Sequence, residues 1–279
     1  MSEDRDLHDV VGFWSEIKLE IIQKYLPAYT TIVSHQRTQF RTVYVDAFAG
    51  SGTHISKETH EFIKGSPALA LETQPAFDEY HLIDLDQRKV ASLERLAAQR
   101  ADVTIYRGDC NELLLKSIFP RCKYEDFARA VCLLDPYGLQ LDWKVIEAAG
   151  KLGSMEIFLN FPVMDINRNA IARDPEKDRP SQAELTRFWG DESWREAAYD
   201  RNPGLFGDDL FTKSSNDAFA KAFQRRLKEV AGFGFVPDPI PMRNSQHAIV
   251  YYLFFASPNA TGGKIVKEIM DRYRKKGFR

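Results

Sequence analysis

The sequence predicts an α/β protein built on a doubly wound, open and mostly parallel sheet. Five short, largely apolar runs carry that expectation: TVYVDAF from Thr42, EYHLIDLD from Glu79, DVTIYRGD from Asp102, ARAVCLLDP from Ala128 and SMEIFLNFP from Ser154. Such continuous hydrophobicity marks strands buried on both faces. Between the runs lie DQRKVASLERLAAQR, NELLLKSIF and DWKVIEAAGKL, all with helical spacing, and strand–helix alternation of this kind builds parallel sheets. A third observation is that four successive runs end in an acid, Asp46, Asp84, Asp109 and Asp135. Ligands of open parallel sheets bind outside the carboxyl ends of the strands.

Taken in order, the first forty residues (1–40) read as a helical extension. VVGFWSEIKLEIIQKYLPAY places Val10, Phe13, Ile17, Ile21 and Tyr25 on one helical face, and Pro27 is expected to stop the pattern. The five parallel strands follow. GSPALAL from Gly65 is expected to open a helix with Ser66 as cap and Pro67 at its first position. Beyond Pro162 the alternation stops, and residues 163–215, polar and rich in turn formers, are expected to form an insertion of short helices and loops, a lid for substrate or partner. DAFAKAFQRRLKEVAGF resumes as an amphipathic helix. FVPDPIPM and HAIVYYLFFAS then read as a terminal antiparallel hairpin turning near Asn244, and GGKIVKEIMDRYRKKGFR closes the chain as a helix. The whole, residues 1–279, reads as one domain.

Composition excludes several classes. With 44% hydrophobic and 28% charged residues the chain is an ordinary globular protein, and its net charge of −2 gives no global basic field for nucleic acid. No run approaches the roughly 18 to 20 apolar residues of a membrane span. MSEDRDLHDV is the opposite of a secretory signal, so a cytoplasmic location is expected. Cys110, Cys122 and Cys132 lack CxxC spacing and the six histidines lack HxxxH or HxH pairs, so no metal is expected. Basic candidates for a local nucleic-acid surface are RYRKKGFR and QRRLK from Gln224, although cations at a helix end also complement its dipole.

The turn after the first strand, D-A-F-A-G-S-G, narrows the chemistry. A P-loop needs GxxxxGK[ST], which does not follow Gly50, and a dinucleotide turn needs a third glycine where Ile55 stands. What remains is an acid followed by two glycines, Gly50 and Gly52, that let backbone approach a ligand. Asp46 can accept from an ammonium or fix the loop. Asp84 stands where an acid reaches ribose hydroxyls, with Asp86 close behind, and Asp109 where one receives an adenine amino group. Each acid alone is equally a helix cap.

The order DAFAGSG, LIDLD, GDCNELL, LLDPYG, apolar strand, hairpin resembles the S-adenosylmethionine-dependent methyltransferase fold. YVDAFAGSG, GSPALAL, DPYGL and YYLFFAS more closely resemble the three-Cys-motif partner (TcmP) family of bacterial proteins, over nearly the whole chain. The resemblance implies a Rossmann-like sheet and S-adenosylmethionine as cofactor, with S-adenosylhomocysteine as product. Asp46, Phe48, Gly50 and Gly52 would then line its methionine and ribose end, Asp84 its ribose and Asp109 its adenine. It also implies a radical-type three-Cys-motif protein as partner.

Amino-methyltransferases of nucleic-acid bases carry [DNS]PP[YFW] at the fourth strand end. Here the tip is Asp135-Pro136-Tyr137-Gly138: the second proline is absent and the ring arrives one residue early. Asp135 can still orient an amine and Tyr137 can stack on a planar acceptor. Asn160, Phe161 and Arg168, at and beyond the fifth strand end, are expected to face the same cleft. The readings are therefore a methyltransferase acting on a base amino group or other planar amine, or a partner module that keeps the fold without the catalysis. A dinucleotide-dependent oxidoreductase is disfavoured by Ile55.

Overall fold

In a computed structural model, which describes residues 8–36, 39–172, 177, 179–203 and 209–276, the chain opens with a two-residue strand, β1 (Val10–Val11), and a long helix, α1 (Phe13–Ser34). The expected helical face shifts accordingly. Val10 lies in the strand and is exposed, as is Phe13, whereas Ile17, Ile21 and Tyr25 are buried. Pro27 does not stop the helix, which runs through it. A proline at this position removes one backbone donor, but Ile21, Ile22, Tyr25, Leu26, Tyr29 and Val33 all bury against the sheet. That packing outweighs local propensity.

The expected parallel strands follow as β2 (Arg41–Asp46), then β3 (Thr53–Ser56) and β4 (Phe62–Lys64) in the loop region after it, α2 (Ser66–Leu71), β5 (Glu79–Asp84), α3 (Gln87–Leu96), β6 (Val103–Arg107), α4 (Cys110–Leu113), β7 (Ala128–Leu134), α5 (Trp143–Leu152) and β8 (Met155–Phe161). The insertion holds α6 (Val163–Asn169), α7 (Gln182–Trp189), α8 (Trp194–Ala198) and an antiparallel pair, β9 (Tyr199–Pro203) with β10 (Asp209–Lys213). Residues 173–176, 178 and 204–208 of it lie outside the described residues. The chain then forms α9 (Asn216–Glu229), β11 (Ile240–Arg243), β12 (Ile249–Ala256) and α10 (Ala260–Lys276).

Seven strands make the central sheet, in the order β11-β12-β8-β7-β2-β5-β6. The five from β8 to β6 are mutually parallel. β12 runs antiparallel to β8, and β11 antiparallel to β12, around a turn at Asn244 to Ala248. The first strand of this hairpin begins at Ile240, later than the apolar run suggested, because two of the preceding residues are prolines. β1, β3 and β4 form a small separate sheet that sequence patterning did not show.

Side-chain alternation divides the core. Val43, Val45, Ile157, Leu159, Phe161 and Phe254 point to one face, under α4, α5, α7, α8 and α9; Tyr44, Phe158, Leu253 and Phe255 point to the other, under α1, α2, α3 and α10. The order reverses at β2, which leads outward to β5 and β6 on one side while β7 lies on the other. The crevice at that reversal opens at the carboxyl ends of the strands. Among the described residues no helix is long and apolar enough to cross a membrane.

Candidate functional site

Two adjoining cavities occupy the carboxyl edge. The larger, about 840 Å³, is lined by Asp84, Leu85, Lys89, Asp109, Asn111 and Arg187 among others. The smaller, about 490 Å³, draws on Gly50, His54, Asp135, Asn160, Arg168 and the N-terminal residues Asp9, Trp14 and Lys18. Phe48 and Tyr137 line both, so they stand where the chambers join. Both volumes suit small-molecule ligands.

Each strand-end acid has a separate task. Asp46 is fully buried and braces the loop: Tyr44 Oη donates to it at 3.1 Å and the Phe48 amide at 3.3 Å. Burial, against hydrogen bonds from Ser66 and Tyr44, pushes its carboxyl up to about 6. Of the two roles open to Asp46, the structure shows loop fixing. Asp84 accepts the Gly50 amide at 2.9 Å through one oxygen and the Asp86 amide at 2.8 Å through the other, tying the first turn to the second strand end. Its side chain still lines the larger chamber. Asp86 caps α3 through the Arg88 amide. Asp109 caps α4 and receives Asn111 through a single oxygen, Oδ1; Oδ2 makes no hydrogen bond among the described residues.

The two glycines part company. Gly50, with φ +63°, lines the smaller chamber, and a Cβ there would meet nothing nearer than 3.8 Å. Gly52, with φ +82°, faces away from both cavities: a Cβ would lie 2.8 Å from Leu96 Cδ2. Its lack of a side chain serves helix packing, not ligand approach. Ser66 is also corrected. Gly65 is the N-cap of α2 and Ser66 its first residue, because Gly65 must pack on the Gly52 backbone, 3.0 Å from where its Cβ would stand. Ser66 is left to bond Asp46.

At the fourth strand end, Asp135, Pro136 and Tyr137 all line the smaller chamber. Asp135 Oδ2 is ion-paired with Lys18, itself only 7% exposed. Tyr137, 58% exposed as a residue, donates from Oη to Asp9 Oδ2 at 2.8 Å, and partial desolvation of the hydroxyl, then that carboxylate, raise its phenol above the ordinary value. Lys89 reaches the same Asp9 oxygen at 2.8 Å and lies 5.3 Å from the Tyr137 ring centroid. His54 is held neutral: burial, then the Lys18 charge, push it down to about 4.

Of the three residues expected from the fifth strand end, Asn160 and Arg168 line the smaller chamber. Asn160 Oδ1 is buried with no hydrogen-bond partner among the described residues. Phe161 does not face the cleft. It is fully buried among Phe188, Phe219, Phe223 and Phe254, because strand alternation turns it opposite to Asn160. The basic run from Gln224 is likewise structural in part: Gln224 bonds the Val236 carbonyl and Arg226 binds Asp191 and the Trp189 carbonyl. At the C-terminus, Arg274 binds Asp271, and residues 277–279 lie outside the described residues.

Sequence reasoning missed Lys18, Asp9, Lys89, His54 and Asn111. Lys18 did leave a signal: Ile22 and Tyr25 follow it at helical spacing on the buried face. Asn111 joins the start of α4 to the loop before α5, its amide donating to the Gln140 carbonyl at 2.9 Å and its oxygen accepting from the Asp142 amide at 2.8 Å. The three thiols are buried, and burial disfavours their thiolates, raising Cys110 and Cys122 to about 12 and Cys132 well above its ordinary value. No group of three or more metal-ligating side chains exists among the described residues.

No protein-family model matches the chain, and no curated protein matches it. Among solved structures it resembles protein LPL1258 of Legionella pneumophila, of family DUF519, with a TM-score of 0.55 and 13% identity over 94% of this chain and 91% of that one. That likeness establishes a shared fold. Lower similarity is found to the N-methyltransferase NodS of Bradyrhizobium japonicum in complex with S-adenosylhomocysteine (TM-score 0.44, 8% identity, 89% of each chain). A putative methyltransferase of Thermobifida fusca lies in the same range (TM-score 0.43, 10% identity, 88% of this chain and 79% of that one).

Proposed function

We propose that the chain is an S-adenosylmethionine-dependent methyltransferase acting on an amino group of a nucleic-acid base or other planar amine. The observation that supports this best is the pair of chambers joined at Phe48 and Tyr137, with Asp84 and Asp109 in the larger and Asp135 in the smaller. The fit to the cofactor is chemical. Asp109 Oδ2 has no protein donor among the described residues and can receive an amino group, Asp84 offers carboxylate oxygens to hydroxyls, and Gly50 brings backbone without a side chain to the wall of the smaller chamber. When bound, the sulfonium supplies a methyl group whose S–C bond breaks as the acceptor's N–C bond forms.

The chain's own residues position that displacement. Asp135 accepts an N–H of the acceptor through the oxygen that Lys18 leaves, and the amine's spare proton departs by that route after transfer. Tyr137 covers the join and offers its ring to a planar acceptor. Met164, Asp165 and Arg168 of α6 face the smaller chamber, so we assign the insertion (163–215) to the acceptor side as its lid, with Arg187 of α7 reaching the larger chamber as well. The test is transfer of a radiolabelled methyl group to RNA, DNA and small amines. Asp135→Ala should lower turnover at least about a hundredfold with cofactor affinity nearly intact, and transfer surviving that change would remove Asp135 from the mechanism.

A second reading is favoured by Lys18. A carboxylate already paired with a buried lysine is less available to an acceptor, as suits a cofactor-binding partner module for a radical-type three-Cys-motif protein. Binding of S-adenosylhomocysteine without transfer to any acceptor, together with capture of such a protein, would select it.

A further inference from the structure

We infer that Asp9 is a positioning residue of this site and that the N-terminal strand is a strap. Its carboxylate holds Tyr137 across the join between the chambers, and the cofactor enters and leaves when the strap lifts. The inference rests on the cofactor reading above.

Three parts of the chain meet in one cluster. Asp9 precedes β1, Lys89 belongs to α3 and Tyr137 follows β7. Asp9 Oδ2 accepts from Tyr137 Oη and from Lys89 Nζ, each at 2.8 Å, and Lys89 Nζ also lies 3.4 Å from Tyr137 Oη. Lys89 lines the larger chamber, Asp9 the smaller and Tyr137 both. The bonds therefore span the boundary that an elongated ligand occupying both chambers has to cross.

Elsewhere the strap is held near the surface. Among the described residues β1 pairs with β3 alone, through Val10↔Ile55 and Val11↔Ser56, His8 Nδ1 lies 3.0 Å from Ser51 Oγ and 3.1 Å from the Thr53 carbonyl oxygen, and Val10 is 62% exposed. Immediately after it, Gly12 joins the strap to α1. Gly12 holds extended backbone, with φ −89° and ψ 171°, and the Trp14 ring folds back over it, 2.5 Å from where a Cβ would stand. From Ile17 onward α1 is anchored in the core. A short edge with few buried contacts, joined at one glycine to a firmly packed helix, is where local opening costs least.

Tritiated S-adenosylhomocysteine, followed by rapid filtration on the intact chain, measures both association and release. Tyr137→Phe should raise both rates about tenfold, the loss of one hydrogen bond to a charged group, and Asp9→Ala, which also removes the Lys89 bond, at least as much, while Kd stays within about threefold, since a gate acts on entry and exit alike. Because the Tyr137 bond is already lost in Asp9→Ala, the double variant should be no faster than Asp9→Ala alone. Release accelerating alone, with Kd rising in step, would make Asp9 an ordinary contact and overturn the strap; so would unchanged rates. Tyr137→Phe keeps the ring, so it carries the test even where Asp9→Ala fails to fold. Wild-type protein that binds no ligand would overturn the cofactor reading, and the strap with it.

Discussion

Gly50 and Gly52 both hold left-handed backbone, with φ of +63° and +82°, yet their surroundings assign them different duties. Gly52→Ala drives a Cβ into Leu96 as well as straining the backbone, and should lower stability by about 1–3 kcal/mol, read by urea denaturation without ligand. Gly50→Ala shares the backbone strain but meets nothing nearer than 3.8 Å, and should cost less, its further effect falling on ligand binding. The sequence motif showed both glycines and placed both against a ligand. It could not separate them, because what a glycine faces depends on Leu93 and Leu96 of α3, some forty residues away in the chain. The same limit applies to Asp135: its position at a strand end was legible, whereas its partner Lys18, on a helix formed 117 positions earlier, was not.

At the level of elements, periodicity served well where packing agreed with propensity. The five parallel strands are apolar because both faces are covered, and that alone makes them visible. Where packing opposed propensity, reading failed. Helix α1 continues past Pro27 because its buried face pulls the next two turns onto the sheet, and Thr30 Oγ1 donates to the Leu26 carbonyl at 3.2 Å inside the same stretch. Pro27→Ala should therefore stabilise the protein, by up to about 3 kcal/mol, raising the urea midpoint. Phe161 shows the opposite error. A residue at a strand's carboxyl end was assigned to the cleft, but alternation put Asn160 there and Phe161 into a cluster of five aromatic rings. Phe161→Ala should cost about 3–5 kcal/mol of stability.

Across the whole molecule, one buried acid at the opposite end of the sheet ties the N-terminal helix to the last strands. Glu156 accepts from Tyr25 Oη and, at 2.8 Å, from Ser257 Oγ. Burial pushes it up from 4.5 to about 7. A carboxyl raised on folding contributes stability that is fully present below pH 4.5 and lost as pH rises through 7. Asp46, raised to about 6, acts in the same sense over a lower range. Glu156→Gln should flatten the decline between those limits and leave the protein more stable than wild type above pH 7, as urea midpoints across that range would record.

The carboxyl edge of the same sheet carries the account's central claim, that the joined chambers receive S-adenosylmethionine. Calorimetric titration of the intact chain with S-adenosylhomocysteine tests it most directly, beside a Gly50→Val variant whose β-branched side chain is incompatible with φ +63°. The account predicts one site of Kd on the order of micromolar, lost in a folded variant. A folded wild-type protein that takes up no ligand would contradict it.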